Sequence, residues 1–155
     1  MPALLNAEVR EFANRSVLCW LATADGNGQP NVTPKEVFAI VDDDHLVIAN
    51  ISSPVSAKNI GVNPKVCASF IDVFVQKGFK VVGTASNVRP SAHDYSKWAA
   101  PLQAMVGDRF PIHSVFAIKA DSVEKIVAPS YRLYPAETTE ETQIQSALRT
   151  YGVTR

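Results

Sequence analysis

Between Ser16 and Asn50 three β-compatible runs follow one another with only turn signals between them. SVLCWLATA leads through DGNGQP into PNVTPKEVFAIV, and Asp42-Asp43-Asp44 leads into HLVIAN. Links this short join antiparallel neighbours, because a parallel crossover needs a dozen or more residues. A doubly wound parallel sheet is disfavoured on that ground. Nor is there a GxGxxG or Walker A string to cradle a dinucleotide or a nucleotide phosphate. Pro34 interrupts the second run, and because proline cannot donate to a sheet ladder, it predicts an edge, a bulge or a strand end there.

Two further strands are predicted at KVCASFID (Lys65 to Asp72) and GFKVVGTASNV (Gly78 to Val88), joined through VFVQK, and a sixth within His113 to Val127. Helices fill the remainder. Asn6 caps an opening helix in which Leu5, Val9 and Phe12 recur at helical spacing. Ser53 and Pro54 start a short helix that Asn63-Pro64 stops. Ser91 with Asp94 suggests a capping box opening a helix that Pro101 should kink or interrupt, with Tyr95, Trp98 and Leu102 on one face. Thr138 or Thr139 caps a last helix whose stripe is Ile144, Ala147, Leu148 and Tyr151, with Gly152 as its C-cap. Six short antiparallel strands with helices at the ends and crossovers predict a mainly β fold, a small closed or split barrel, as a single domain over residues 1–155.

The chain has 155 residues, 46% hydrophobic and 19% charged, the balance of a folded globular protein. Fifteen basic residues offset fifteen acidic ones, so no global field draws it to nucleic acid, and any anion site must be local. No apolar run reaches the length of a membrane helix, and the charged start MPALLNAEVREF does not read as a signal peptide. A cytoplasmic protein is expected, with Cys19 and Cys67 as buried, reduced thiols inside apolar runs. His45, His93 and His113 have no i, i+4 partner, and Asp42 to Asp44 read as a solvated turn, so no metal site is expected.

Three strings carry possible chemistry. In Ile51-Ser52-Ser53-Pro54-Val55-Ser56-Ala57-Lys58-Asn59, hydroxyls and first-turn N–H groups at a helix N-terminus can cradle a phosphate monoester, although Ser-Ser-Pro is also an ordinary helix start. In Gln76-Lys77-Gly78-Phe79-Lys80, Gly78 would let a flat ligand approach the backbone beside two cations; a solvated turn reads the same way. In Asn31-Val32-Thr33-Pro34-Lys35-Glu36, the proline-broken strand would leave backbone groups free for the polar edge of a heterocycle, or simply protect an edge. No GxSxG elbow or Cys–His pair is visible. Polar cradles without catalytic side chains suggest that a cofactor supplies any chemistry.

From Ser16 to Gly83 the sequence resembles the FMN-binding split-barrel proteins of the pyridoxamine 5′-phosphate oxidase-like family. The resemblance runs through VLCWLATADGNGQPNVTPKEV, HLVIAN, SPVSAKNIGVNPKVCASFID and QKGFKVVGTA. Its most specific parts are Asn59-Ile60 with Asn63-Pro64-Lys65-Val66, and then QKGFK. It implies a six-stranded antiparallel split barrel that forms a homodimer, with FMN in clefts at the dimer interface. On that pattern Asn50, Ser52, Ser53 and Ser56, with Lys58 and Asn59 nearby, would hold the phosphate. Pro34, Lys35 and Glu36 would lie along the polar edge of the ring, where Lys35 or a backbone N–H would stabilise negative charge on the reduced flavin, and Lys35 or Lys77 would be the cation left to support the phosphate. Gln76, Lys77 and Lys80 would approach from the fifth strand.

Two departures shape the functional expectation. Where the vitamin B6 oxidases of that family commonly carry arginine then lysine before the helix, this chain has Val55 and Ser56. Its end, SALRTYGVTR, lacks their arginine-rich substrate motif. The resemblance therefore implies a flavin-dependent oxidoreductase passing hydride or electrons to or from a small molecule, but not a pyridoxamine phosphate oxidase. The rival expectations are a catalytically silent module that binds a flavin or another phosphorylated ligand, and a deazaflavin-dependent reductase.

Overall fold

In a computed structural model that describes residues 2–155, the chain forms one antiparallel sheet curled into a half-barrel, with helices around it. The order of elements is α1 (Ala7–Arg15), β1 (Cys19–Ala24), β2 (Pro30–Lys35), β3 (Phe38–Ile40), β4 (His45–Asn50), α2 (Pro54–Val62), β5 (Lys65–Asp72), β6 (Lys77–Val88), α3 (Tyr95–Val106), β7 (Ser114–Val127), α4 (Ser130–Leu133) and α5 (Glu140–Tyr151). Across the sheet the strands run β2-β1-β5-β6-β7-β4-β3.

The sheet has seven strands where six were expected, because Pro30 to Val41 divides into β2 and β3. These two are consecutive in the chain yet occupy opposite edges of the sheet. From Lys35 to Phe38 an extended chain reaches only about 11 Å, so the two edges must come close together, and that closeness is the curl. Pro34 lies on edge strand β2, opposite Trp20, as its missing N–H requires. The barrel is split where Glu36 and Val37 cross from one edge to the other.

Alternation fixes which faces are buried. Leu21, Ile48, Phe70, Val81, Phe116 and Ile118 point into the barrel with Leu5, Val9 and Phe12 of the first segment. The apolar run of β4 is continuous because both its faces are covered. Leu46 and Ile48 enter the barrel core, whereas Val47 and Ala49 join Val115 and Ala117 beneath Trp98, Ala99 and Leu102 of α3. Arg15 of α1 ties the first helix to the β5–β6 turn through an ion pair with the buried carboxylate of Asp72 at 2.7 Å. The same carboxylate accepts from the Phe74 N–H.

Several local expectations are corrected. β1 begins at Cys19, not Ser16, because Ser16 ends α1 and its hydroxyl donates to the Phe12 carbonyl. α3 starts at Tyr95 and runs on through Pro101. Its N-cap Asp94 accepts from the Trp98 indole N–H at 2.9 Å and makes no capping bond. Thr139 forms the capping box of α5 with Thr142, and Gly152 closes that helix at φ 65°. Gly78 does admit a close neighbour, but the neighbour is β5 itself: a Cβ there would lie 2.0 Å from the Phe70 carbonyl oxygen. No described helix is long and apolar enough to cross a membrane.

Candidate functional site

The split in the barrel is a cleft of about 380 Å³. One wall is the end of β2 and the crossing to β3 (Thr33, Pro34, Lys35, Glu36, Val37), and the other is the end of β4 and the approach to α2 (Ala49, Ile51, Ser52, Ser53). Phe110, from the loop between α3 and β7, reaches it from outside the sheet. The Ala49 N–H donates to the Val37 carbonyl at 3.0 Å, which holds the two walls in register.

The polar end is organised around Lys35, only 7% exposed. Its ammonium donates to the hydroxyl of Ser53, the N-cap residue of α2. Burial lowers the Lys35 pKa below that of an ordinary lysine, an effect partly offset by the neighbouring Cys19. No ion pair joins this ammonium to a carboxylate among the described residues. A buried cation is therefore held against the positive end of a helix dipole, an arrangement that an anion would relieve. The first-turn N–H groups of α2 have no intrahelical acceptor and face the same need.

Asn50 fixes this end from behind. Its side-chain carbonyl accepts from the Ser53 N–H at 3.1 Å, and its amide donates to Ser114 at 2.8 Å. Both ends of its side chain are thus engaged, and it positions the Ser52-Ser53 segment. Ser56 and Asn59 face inward between α2 and the β1–β2 edge, where Ser56 lies 3.4 Å from the Thr33 hydroxyl and Asn59 donates to Thr23 at 3.0 Å. They seat the helix, and neither lines the cleft. The Asn31 amide, one turn of the pleat from Thr33, is buried on this polar seam without a partner. Lys58 is exposed on the opposite face of α2.

Of the residues expected to bind a cofactor, the structure brings Pro34, Lys35, Glu36, Ser52 and Ser53 together at the cleft. Gln76, Lys77 and Lys80 stand outside it within one chain. Lys77 pairs with Glu140 at 3.1 Å and covers the Tyr131 ring. Lys80 pairs with Glu124 at 2.8 Å, and that hydrogen bond raises its pKa. Gln76 sits in the β5–β6 turn at φ 56°. The apolar lining residues Val37, Ala49 and Phe110 were not anticipated as site residues. Val37 and Ala49 look like any strand residues, and Phe110 is remote in sequence from both walls.

Among the described residues no group of three or more His, Cys, Asp or Glu side chains is placed to hold a metal ion. Residues 5–127 match the family model described as pyridoxamine 5′-phosphate oxidase. The chain belongs to that family. No curated protein sequence matches it. Among solved structures this family member is similar to HupZ of Group A Streptococcus, with a TM-score of 0.68 and 23% identity over 79% of this chain and 94% of that one. It is similar to an FMN-binding protein of Syntrophomonas wolfei, with a TM-score of 0.64 and 16% identity over 76% and 82% of the two chains. It is also similar to HutZ, the heme storage protein of Vibrio cholerae, with a TM-score of 0.63 and 21% identity over 82% and 95%. At these identities the likeness establishes the fold.

Proposed function

We propose that the chain binds FMN in the cleft at the barrel split and acts as a flavin-dependent oxidoreductase on a small molecule. The observation that carries this reading is the buried, carboxylate-free ammonium of Lys35 at the N-cap of α2, in a cleft that also carries the apolar side chains of Val37, Ala49, Ile51 and Phe110. A phosphate monoester carries a charge of about −1.5 to −2 at neutral pH and complements Lys35, Ser52, Ser53 and the free N–H groups of the helix. A planar ring suits Val37, Ala49, Ile51 and Phe110, and the cleft volume lies within the range of about 300 to 1,000 Å³ usual for cofactor sites. FMN would supply the hydride and electron transfer that the side chains lining this cleft do not supply.

The site argues against two related chemistries. Val55 is exposed on the first turn of α2, and Ser56 is buried beneath it, so neither replaces the basic pair of the vitamin B6 oxidases. Haem iron takes His, Cys, Met or Tyr as its protein ligand, and among the described residues none of these lines the cleft.

We further propose that two copies pack together through the outer face of the sheet. There Trp20 stands opposite Pro34 and Ala22 opposite Val32. Trp20, Val32 and Val73 are 44%, 58% and 44% exposed, more apolar surface on one face than isolated residues account for. Such a dimer is also what a role for Gln76, Lys77 and Lys80 would need. The two free cysteines fit a reducing compartment, and we place the protein in the cytoplasm.

A catalytically silent binding module is the second reading, favoured by the fact that Lys35 and Glu36 are the only titratable side chains lining the cleft. The visible spectrum of the purified protein, followed by FMN titration with flavin fluorescence as readout and then by addition of NADH or NADPH, decides between them. Flavin bands with turnover support the oxidoreductase. Flavin bands without turnover support the silent module. The absence of both flavin bands and quenching would overturn FMN binding, and light scattering that shows a monomer would overturn the dimer.

A further inference from the structure

Phe110 is the one aromatic side chain lining the cleft, and it arrives from an element that takes no part in the sheet. It lines the cleft together with the apolar side chains of Val37, Ala49 and Ile51, and it is 45% exposed. A phenylalanine left that open forgoes much of the stabilisation its burial would bring. Its loop is held at both ends. Gly107, at φ 56°, ends α3, and its N–H donates to the Gln103 carbonyl at 2.8 Å. At the far end the His113 N–H donates at 2.9 Å to the carbonyl of Asn50, the residue whose side chain fixes the Ser53 N–H. The Arg109 guanidinium lies 5.5 Å from the Phe110 ring centre and helps to orient it. An aromatic side chain is thus carried to the cleft by a loop anchored on Asn50, the residue that also fixes Ser53.

We propose that Phe110 is the specificity-determining residue for the ring of the bound ligand. It packs on a planar aromatic system, while Lys35 and the α2 N-terminus hold the phosphate. This rests on the reading that the cleft binds FMN, and it adds that ring recognition and phosphate recognition reside on separate, independently removable side chains.

The test uses full-length wild-type, Phe110→Ala, Phe110→Leu, Phe110→Tyr and Lys35→Met proteins, each titrated with FMN and with riboflavin, which has the ring without the phosphate. Flavin fluorescence quenching is the readout. Phe110→Ala is expected to weaken both ligands by a similar factor of about ten, from lost aromatic contact and apolar cover. Phe110→Tyr should retain affinity and quenching, and Phe110→Leu should fall between them. Lys35→Met should weaken FMN alone. If Phe110→Ala binds both flavins as wild type does, the ring role is overturned while FMN binding stands. If Phe110→Leu matches wild type, apolar cover suffices and aromatic selection is overturned. If wild type binds neither flavin, the underlying reading fails, and the role of Phe110 with it. Because Phe110 is half exposed, its substitution leaves both hydrophobic cores intact.

Discussion

Lys35, at the end of edge strand β2, donates a hydrogen bond to Ser53, the N-cap of α2. The contact joins one rim of the barrel split to the helix beneath the other, and it places a cation where a helix dipole is already positive. Hydrogen bonds to charged groups contribute about 1.5 to 3 kcal/mol. Lys35→Met should therefore weaken FMN binding roughly 10- to 100-fold, measured by fluorescence titration. Arginine at this position should restore part of the loss, because it keeps the charge but alters the geometry.

The pH dependence of binding follows from the lowered pKa of Lys35, whose chief cause is burial. In the unfolded chain this lysine keeps its proton up to about 10.4, whereas in the folded, ligand-free protein it releases it earlier. Between those two values the unfolded state binds more protons, so the Lys35 contribution to stability rises with pH. Binding an anion runs the other way, because it needs the charged form. FMN affinity should fall as pH rises through the lowered pKa, below 10.4. Lys35→Met should lose that component of the profile, and riboflavin binding to wild type should lack it too. A profile identical in wild type and Lys35→Met would remove Lys35 from phosphate binding.

How much of this was legible in the sequence depends on range. The antiparallel meander could be read because its turns are local: Asp25 accepts from the Asn27 and Gln29 N–H groups, and Asp42 from those of Asp44 and His45. The division of β2 from β3 could not. The crossing at Glu36-Val37 is dictated by the closure of the whole sheet, and locally only Pro34 marks it. At α2 the serines were correctly placed at the N-terminus, but which of them faces the cleft depends on helical phase. Ser53, Ser56 and Asn59 lie on the inner face, and only the first reaches the opening. Lys77 and Lys80 look alike in sequence to Lys35, yet Glu140 and Glu124, distant in the chain, engage them. The family resemblance supplied the cleft's general location, and tertiary contacts decided which cations remain without an acidic partner.

Cys19 offers a probe of the fold beside the site. It is fully buried, and burial pushes its thiol pKa up to about 12, only partly opposed by nearby Lys35. At pH 8 about one such thiol in 10,000 is ionised, and the thiolate is the reactive form. Cys67, half-buried on the outer face of β5, is also shifted upward by burial but is more accessible. Cys67 lies opposite Ala22 on the face proposed to pair two copies. Alkylation of the native protein followed by peptide mass spectrometry should therefore find Cys67 modified first in dilute protein and protected as concentration favours the dimer, with Cys19 reacting only at the rate of unfolding. Rapid native labelling of Cys19 would show that the β1–β2 edge opens without global unfolding.

Two glycines with different surroundings test the packing that supports the split barrel. At Gly78 an added Cβ would lie 2.0 Å from the Phe70 carbonyl oxygen and 2.7 Å from the Ile71 Cα, both on strand β5, so relief requires separating β5 from β6. Overpacking against backbone costs about 1 to 3 kcal/mol and sometimes more, and Gly78→Ala should fall at or above the top of that range. Gly61, inside α2, has nothing within 4 Å of the same added atom. There alanine restricts the unfolded chain and favours the helix by about 1 kcal/mol. Thermal unfolding should therefore move in opposite directions, down for Gly78→Ala and up for Gly61→Ala. An unchanged midpoint for Gly78→Ala would mean that β5 and β6 pair less tightly than their register implies, and that the curl depends on the β2–β3 crossing alone.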